Sequence, residues 1–264
     1  VTASKGRVLI VAGSDSGGGA GLQADLKTVA ALGGYGMTAI TALTAQNTLG
    51  VFGVHPVPSD FVVQQMRVVL DDIGADAIKI GMLGSAEIAE AVTDVLESPP
   101  VRDIPLILDP VLASTSGHAL IDMNGLALLR KRLVPRACLV TPNLGEAEIL
   151  TGIAARDVDG MRRAAAAILA MGAANVLIKG GHLDGDVLTD MLVNGEGEHI
   201  FRHQKIDTRH THGTGCTLAS AIATGIAQGA PLLQAVSDGC AYVQAAILAA
   251  PGLGQGHGPL GRGA

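Results

Sequence analysis

The chain is poor in the residues that stack, cross-link and carry charge. It has no tryptophan, three phenylalanines and two tyrosines among 264 residues, so its core must be packed from Ala, Val, Leu and Ile, and aromatic stacking is not its main means of recognition. Its three cysteines, Cys138, Cys216 and Cys240, are odd in number and widely spaced with no CxxC, which argues against a disulfide framework and against a zinc site of the usual spacing. A reducing cytoplasm fits that usage. Only 16% of residues are charged and the formal net charge is -6, so the cationic footprint that nucleic acid requires is missing. No run reaches the ~18 apolar residues of a membrane span; the richest, Ala164 to Ala174, reads as a core helix. The opening "VTASKGRVLIVAGSD" has an apolar segment too short for a signal peptide, and it runs into glycines as a first strand does. The expectation is a soluble protein that meets neither nucleic acid nor membrane.

What is present is apolar material, 48% hydrophobic with 36 glycines, and a regular alternation of short and long segments. Arg7 to Ala12, Thr38 to Thr44, Ala77 to Ile80, Leu106 to Leu108, Leu139 to Thr141 and Asn175 to Lys179 read as strands. Gly21 to Leu32, Asp60 to Asp72, Ser85 to Glu97, Asn124 to Leu133 and Asp157 to Met171 carry apolar residues at three-four spacing and read as helices. Such alternation predicts βαβ units and a parallel sheet covered on both faces; the continuous runs "VLIVA" and "VLIK" suit strands buried on both sides. Val187 to Val193 and Ile200 to Arg202 predict a hairpin around "NGEG". Two helices, about Gly215 to Gln228 and Pro231 to Ala249, close the chain. With no internal repeat and no linker of biased composition, residues 1–264 read as one domain.

The sharpest motif is "THGTGCTLASAIATGIAQG". Gly213, Thr214, Gly215 and Cys216 lead into a helix, where close backbone approach, unpaired amides and roughly half a positive charge from the helix dipole suit an oxyanion. A plain glycine turn before a core helix fits the spacing equally well. At that first turn the dipole should lower the Cys216 thiol pKa and favour thiolate; Cys138 and Cys240 read as small buried hydrophobes. In "LVTPNLGEAEIL", Asn143 and Glu146 share one helical face and offer oxygen ligands to magnesium, although a helix cap explains the same pair. Lys179 in "VLIKGGH" ends a buried strand, where open α/β sheets bind ligands. Asp109 in "LILDPV" ends another, where a carboxylate needs a partner such as a bound ion. The loop "AGSDSGGGAGLQADLKT" matches neither the Walker A pattern nor the dinucleotide fingerprint. If ATP is used, its phosphates therefore fall to the late glycine motif and this loop serves the acceptor, with Asp25 and Gln46 able to read a heterocycle.

Taken in order, "AGSDSGGGAGLQADLKT", "TALTAQNTLGV", "IKIGML", "DPV", "TPNLGEAE", "KGGH", "THGTGCTLASA" and "GQGHGP" resemble the hydroxymethylpyrimidine and phosphomethylpyrimidine kinases, the thiamin branch of the ribokinase superfamily, over nearly the whole chain. The resemblance implies a ribokinase-like three-layer α/β/α fold with a central mainly parallel sheet flanked by helices. It implies ATP and Mg2+ as cosubstrates, a homodimer, and phosphorylation of 4-amino-5-hydroxymethyl-2-methylpyrimidine and its monophosphate. It also implies roles: Gln46 bonding the pyrimidine, with Gly13, Asp25, Met82 and Val111 lining its pocket; Asp109, Asn143, Glu146, Lys179, Gly180 and Thr211 serving nucleotide, with Asp109 and Glu146 toward metal; Gly213, Thr214 and Gly215 cradling the phosphoryl group; and Cys216 as base toward the acceptor hydroxyl.

The chain departs from the family where "STSGH" places Thr115 and His118 at positions usually lysine and aspartate, where His210 replaces an asparagine, and where Cys240 replaces a frequent lysine. Three rival readings accompany the kinase: a pyridoxal or pyridoxine kinase of the same branch; a thiol hydrolase pairing Cys216 with His212 or His210; and a binding module that has lost turnover.

Overall fold

The computed structural model describes residues 6–112, 121–181 and 186–261; Thr115 and His118 lie outside them. In chain order the elements are β1 (Arg7–Asp15), α1 (Gly21–Ala31), β2 (Tyr35–Asn47), β3 (Gly50–Pro56), α2 (Ser59–Asp72), β4 (Ala77–Ile80), α3 (Ala86–Glu97), β5 (Leu106–Leu108), α4 (Met123–Leu128), α5 (Val134–Arg136), β6 (Leu139–Val140), α6 (Leu144–Thr151), α7 (Val158–Ala170), β7 (Asn175–Ile178), β8 (Val187–Asn194), β9 (Gly197–Gln204), α8 (Thr214–Ala227) and α9 (Leu232–Leu248). Leu129–Leu133 is a π-helical stretch joining α4 to α5. The predicted helix over Asn124 to Leu133 thus carries one wider turn inside it.

One nine-stranded sheet runs β3-β2-β1-β4-β5-β6-β7-β8-β9. The six strands from β2 to β7 are parallel, and β3, β8 and β9 join antiparallel. The continuous apolar strands are buried on both faces, as their sequence predicts: Val8, Leu9, Ile10 and Val11 are all inaccessible. Leu9 and Val11 meet the core under α2, α3 and α7, whereas Val8 and Ile10 meet α1 and α8. Farther along the same face Leu139, Leu177 and Leu192 pack on α8 and α9. The result is the expected three-layer α/β/α arrangement. Among the described residues no helix is long and apolar enough to cross a membrane.

The sheet differs from the sequence reading at one edge. β2 continues past Thr44 to Asn47 and turns back as β3. Phe52 and Val54 there are largely exposed, so no one-sided burial pattern marked the strand. Because the sheet order reverses at β1, the carboxyl ends of the parallel strands open a crevice at that point, and the loops carrying the motifs converge on it.

One ion pair lies inside the apolar layers. Lys79, in the middle of β4, is fully buried and makes two contacts of 3.0 and 2.9 Å to the Asp25 carboxylate of α1. Ser220 of α8 donates to the same carboxylate at 2.7 Å. Burial works against the ammonium, but Asp25, with Cys216 and Asp109 behind it, more than offsets it and Lys79 stays charged. Removing one partner strands a buried charge, so Lys79→Met should cost about 3–5 kcal/mol in urea unfolding, and Lys79→Met/Asp25→Leu should recover most of that loss. A double variant as unstable as the single one would contradict the pairing.

Candidate active site

A cavity of about 780 Å³ opens along the carboxyl edge of the sheet. Its lining follows the strand order: Gln46 of β2, Gly13 of β1, Met82 after β4, Asp109 and Val111 after β5, Asn143 after β6, Lys179 after β7, then Asp190 of β8 and His203 of β9. The start of α8 crosses this row, bringing Thr211, Gly213, Thr214, Gly215 and Cys216 to the same cavity. With Glu146, which also lines the cavity, and leaving aside Asp190 and His203, thirteen of the fifteen site residues implied by the resemblance meet in one place.

Two do not join them. Asp25 is absent from the cavity wall; it lies beneath, fully buried, with its carboxylate committed to Lys79 and Ser220. Its expected contact with a heterocycle is corrected to a structural one, because a carboxylate so engaged has no face to offer a ligand. Gly180 is likewise behind the wall: its amide donates to Asp190 at 2.9 Å, and a Cβ there would collide with the Thr189 carbonyl oxygen. Close strand packing, not nucleotide contact, explains that glycine.

The start of α8 is built from backbone constraint. Gly213 occupies the N-cap at φ 87, and a Cβ on it would run into the Gly19 carbonyl oxygen, so the N-terminal glycine loop sits directly against the helix start. No side chain caps α8, leaving its first-turn amides facing the cavity for an anion. A second tie reinforces the first. Asp15 Oδ2 accepts from the Gly19 and Ala20 amides at 3.0 and 2.8 Å and lies 3.0 Å from His212 Nε2. Burial would raise the Asp15 carboxyl, but hydrogen bonds from His212 and the loop amides outweigh it and hold the group below the usual range.

Gln46 joins this cluster, its amide 3.3 Å from His212 Nε2 and 3.1 Å from Thr44 Oγ1. A proton on Nε2 directed at Asp15 makes the Gln46 carbonyl oxygen the fitting neighbour for that nitrogen. The amide hydrogens then face Thr44 Oγ1, whose own proton goes to the Ser14 carbonyl.

At the other end Lys179 stands between two carboxylates, 3.0 Å from Asp109 and 3.8 Å from Glu146. Thr141 donates to Asp109 at 3.2 Å. Asn143 and Glu146 form a reciprocal capping box on α6, at 2.8 and 2.9 Å, so the cap reading of this pair is met, and the same Glu146 also faces the cavity lysine. Burial, partly countered by Lys179, pushes the Glu146 carboxyl up to about 7. A buried cluster of two carboxylates and one ammonium carries spare negative charge and oxygen donors, which suits a hard cation.

Cys216 departs from expectation. The helix dipole was expected to favour thiolate, yet burial, only partly countered by Lys79, pushes the thiol up to about 12. Cys216 is half-buried, lining the cavity on one side and facing the Lys79–Asp25 pair on the other, and desolvation on that inner side outweighs the helix dipole. This removes the resting thiolate that the hydrolase reading needs. Sequence reasoning also passed over Lys79, Asp15 and His212 as a positioned set; the lone lysine in "AIKI" was the available signal, since a charge in a two-sided buried strand must be paired.

A family model described as phosphomethylpyrimidine kinase matches residues 15–261. The hydroxymethylpyrimidine/phosphomethylpyrimidine kinase of Streptomyces coelicolor is 52% identical over 97% of this chain and 94% of its own length. Among solved structures, phosphomethylpyrimidine kinase from Clostridium difficile 630 superposes with a TM-score of 0.80 at 42% identity, covering 91% of this chain and 98% of that one. The ADP complex of Bacillus subtilis pyridoxal kinase superposes at 0.89 with 35% identity, covering 98% of both chains.

Two outcomes follow from the charges. Alkylation of Cys216 by iodoacetamide, followed by peptide mass spectrometry, should stay slow and flat from pH 7 to 9; an inflection near the ordinary thiol value of about 8.5 would contradict the raised thiol pKa. A Glu146 carboxyl at about 7, against its ordinary 4.5, holds a proton in the folded state that the unfolded chain releases. The stability it lends is complete below pH 4.5 and is lost as pH rises through about 7. Glu146→Gln preserves the cap and removes the charge, so its urea midpoint should fall less than that of the wild type between pH 5 and 8. Parallel curves would refute the shift.

Proposed function

The chain belongs to the phosphomethylpyrimidine kinase family, and on that premise we propose that its cavity passes the γ-phosphoryl group of ATP to a pyrimidine held at the Gln46 end. The activity is that of a hydroxymethylpyrimidine/phosphomethylpyrimidine kinase of thiamine biosynthesis, a phosphotransferase. The observation that carries the assignment of roles is the linear order of the lining: Gln46, Gly13, Met82 and Val111 to one side of Cys216 and the α8 amides, and Asn143, Glu146 and Lys179 to the other.

In this reading Gln46 bonds the pyrimidine, with the Asp15–His212 pair fixing which face its amide presents. Lys179, held in place by Asp109 and Glu146, meets the nucleotide phosphates, and the amides of Gly213 to Cys216 receive the charge of the group in flight. Asp109 and Glu146 are the residues that would hold Mg2+, chiefly through waters. When bound, the ion supplies neutralisation of phosphate charge. As the new O–P bond forms and the bond to ADP breaks, the acceptor hydroxyl loses its proton. A thiol pushed to about 12 does not take that proton early; Cys216 positions the hydroxyl, which releases its proton late, onto an oxygen of the phosphoryl group it has joined.

A second phosphorylation supports this. Its acceptor is a phosphate monoester whose second pKa is about 6, so near neutral pH it is largely deprotonated and needs no base. One pocket serves both acceptors if its work is charge placement. The backbone likeness to pyridoxal kinase, at a TM-score of 0.89, favours pyridoxal as a second substrate through its own ring hydroxymethyl.

Incubation with ATP, Mg2+ and hydroxymethylpyrimidine should yield the monophosphate and then the diphosphate by mass spectrometry, with pyridoxal phosphorylated more slowly in a parallel reaction. Lys179→Ala should lower turnover by about 10²–10³. Pyridoxal phosphate as the sole product would reverse the order of the two substrates, and unchanged turnover in the lysine variant would remove Lys179 from its role.

A further inference from the structure

Beyond Lys179, two cavity-lining side chains, Asp190 of β8 and His203 of β9, meet the buried Cys240 of α9 behind them, three different metal-ligating groups with no part in the reaction above. One ligating atom from each lies within 4.8 Å of the others. Asp190 Oδ2 lies 3.7 Å from His203 Nε2 and accepts a long hydrogen bond from the Cys240 thiol at 3.9 Å.

The nitrogen–oxygen spacing is too long for good hydrogen bonding, and both spacings lie a few tenths of an ångström outside the edges of a tetrahedral zinc site. Bonds of 2.0–2.3 Å to oxygen, nitrogen and sulfur imply edges of roughly 3.3–3.6 Å. His203 Nε2 is buried and has no hydrogen-bond partner among the described residues, so a ring nitrogen otherwise left unsatisfied points into the cluster. The frame is rigid. Asp190 pairs with Phe201 across the β8–β9 ladder, which puts His203, two residues on, diagonally beside it on the same face. The other carboxylate oxygen, Oδ1, accepts from the Gly180 amide at 2.9 Å, an outer contact that orients the carboxylate and leaves Oδ2 for a ligand. Asp190 and His203 also line the cavity.

We propose that Asp190, His203 and Cys240 form a zinc-binding site whose fourth position opens toward the cavity and is filled by water in the resting protein. A thiolate, an imidazole and a carboxylate together select Zn2+ over the hard Mg2+, so this site is distinct from the Asp109–Glu146 oxygen donors. Cysteine spacing along the chain argues against zinc because the three ligands come from elements that only the folded sheet brings together.

The full chain, stripped with chelator, is titrated with Co2+ alone in buffer free of nucleotide and then with Zn2+. One Co2+ per chain should bind with a near-ultraviolet thiolate-to-cobalt band that Zn2+ abolishes. Cys240→Ser should remove the band and weaken binding by about tenfold or more, while Cys216→Ser should keep it. His203→Asn, at a partly exposed strand position, provides the affinity readout should the serine variant fail to fold. Absence of the band in the wild type, its survival in Cys240→Ser, or unchanged affinity in His203→Asn would overturn the site.

Discussion

The arrangement of the active centre depends on the ion pair between Lys79 and Asp25. Taking two charges out of water is costly, and it is tolerated because both partners are multiply bonded: Asp25 holds Lys79 through both oxygens and accepts from Ser220 as well. Those contacts join β4, α1 and α8 beneath the cavity floor. They fix the roll of α8, and with it the position of Cys216, more firmly than apolar packing of Ala and Ile alone would. The same pair sets the chemistry above it. Cys216 stands between those buried charges and the cavity, and desolvation, not the helix dipole, decides its protonation.

A cavity organised in this way works by placed charge. Ammonium, carboxylates and helix-terminal amides are already oriented along the sheet edge before any ligand binds, so little reorganisation remains for the transfer itself. The Asp15–His212 tie and the contact of Gly213 with Gly19 extend that order to the acceptor side. They make the glycine-rich loop and the start of α8 a single rigid unit. Since a phosphate acceptor arrives largely deprotonated, a site of this kind runs on either acceptor without a strong base.

Much of this was legible in the sequence, for identifiable reasons. Continuous runs such as "VLIVA" announced strands buried on both faces, and three-four spacing announced the helices between them. The motif glycines marked the places where backbone meets backbone. What stayed hidden depends on long-range pairing. Asp25 resembled a ligand-reading carboxylate because nothing local reveals that Lys79, 54 positions later, neutralises it. The β3 strand lacked a one-sided burial pattern because Phe52 and Val54 remain exposed. Cys216 was expected as thiolate because its place on a helix is a local property and its packing against Lys79 and Asp25 is not. Asp190, His203 and Cys240 come from two strands and a helix, and no spacing along the chain connects them.

The central claim is that phosphoryl transfer here rests on charge placement around Lys179 and the α8 amides, not on proton removal by Cys216. The direct test compares the two half-reactions in Cys216→Ala, using hydroxymethylpyrimidine and its monophosphate as separate acceptors under single-turnover conditions. The account predicts similar losses for both, within about 10²-fold of the wild type. A loss of about 10⁴ or more confined to the hydroxyl acceptor, with the phosphate acceptor untouched, would contradict it and restore Cys216 as the base.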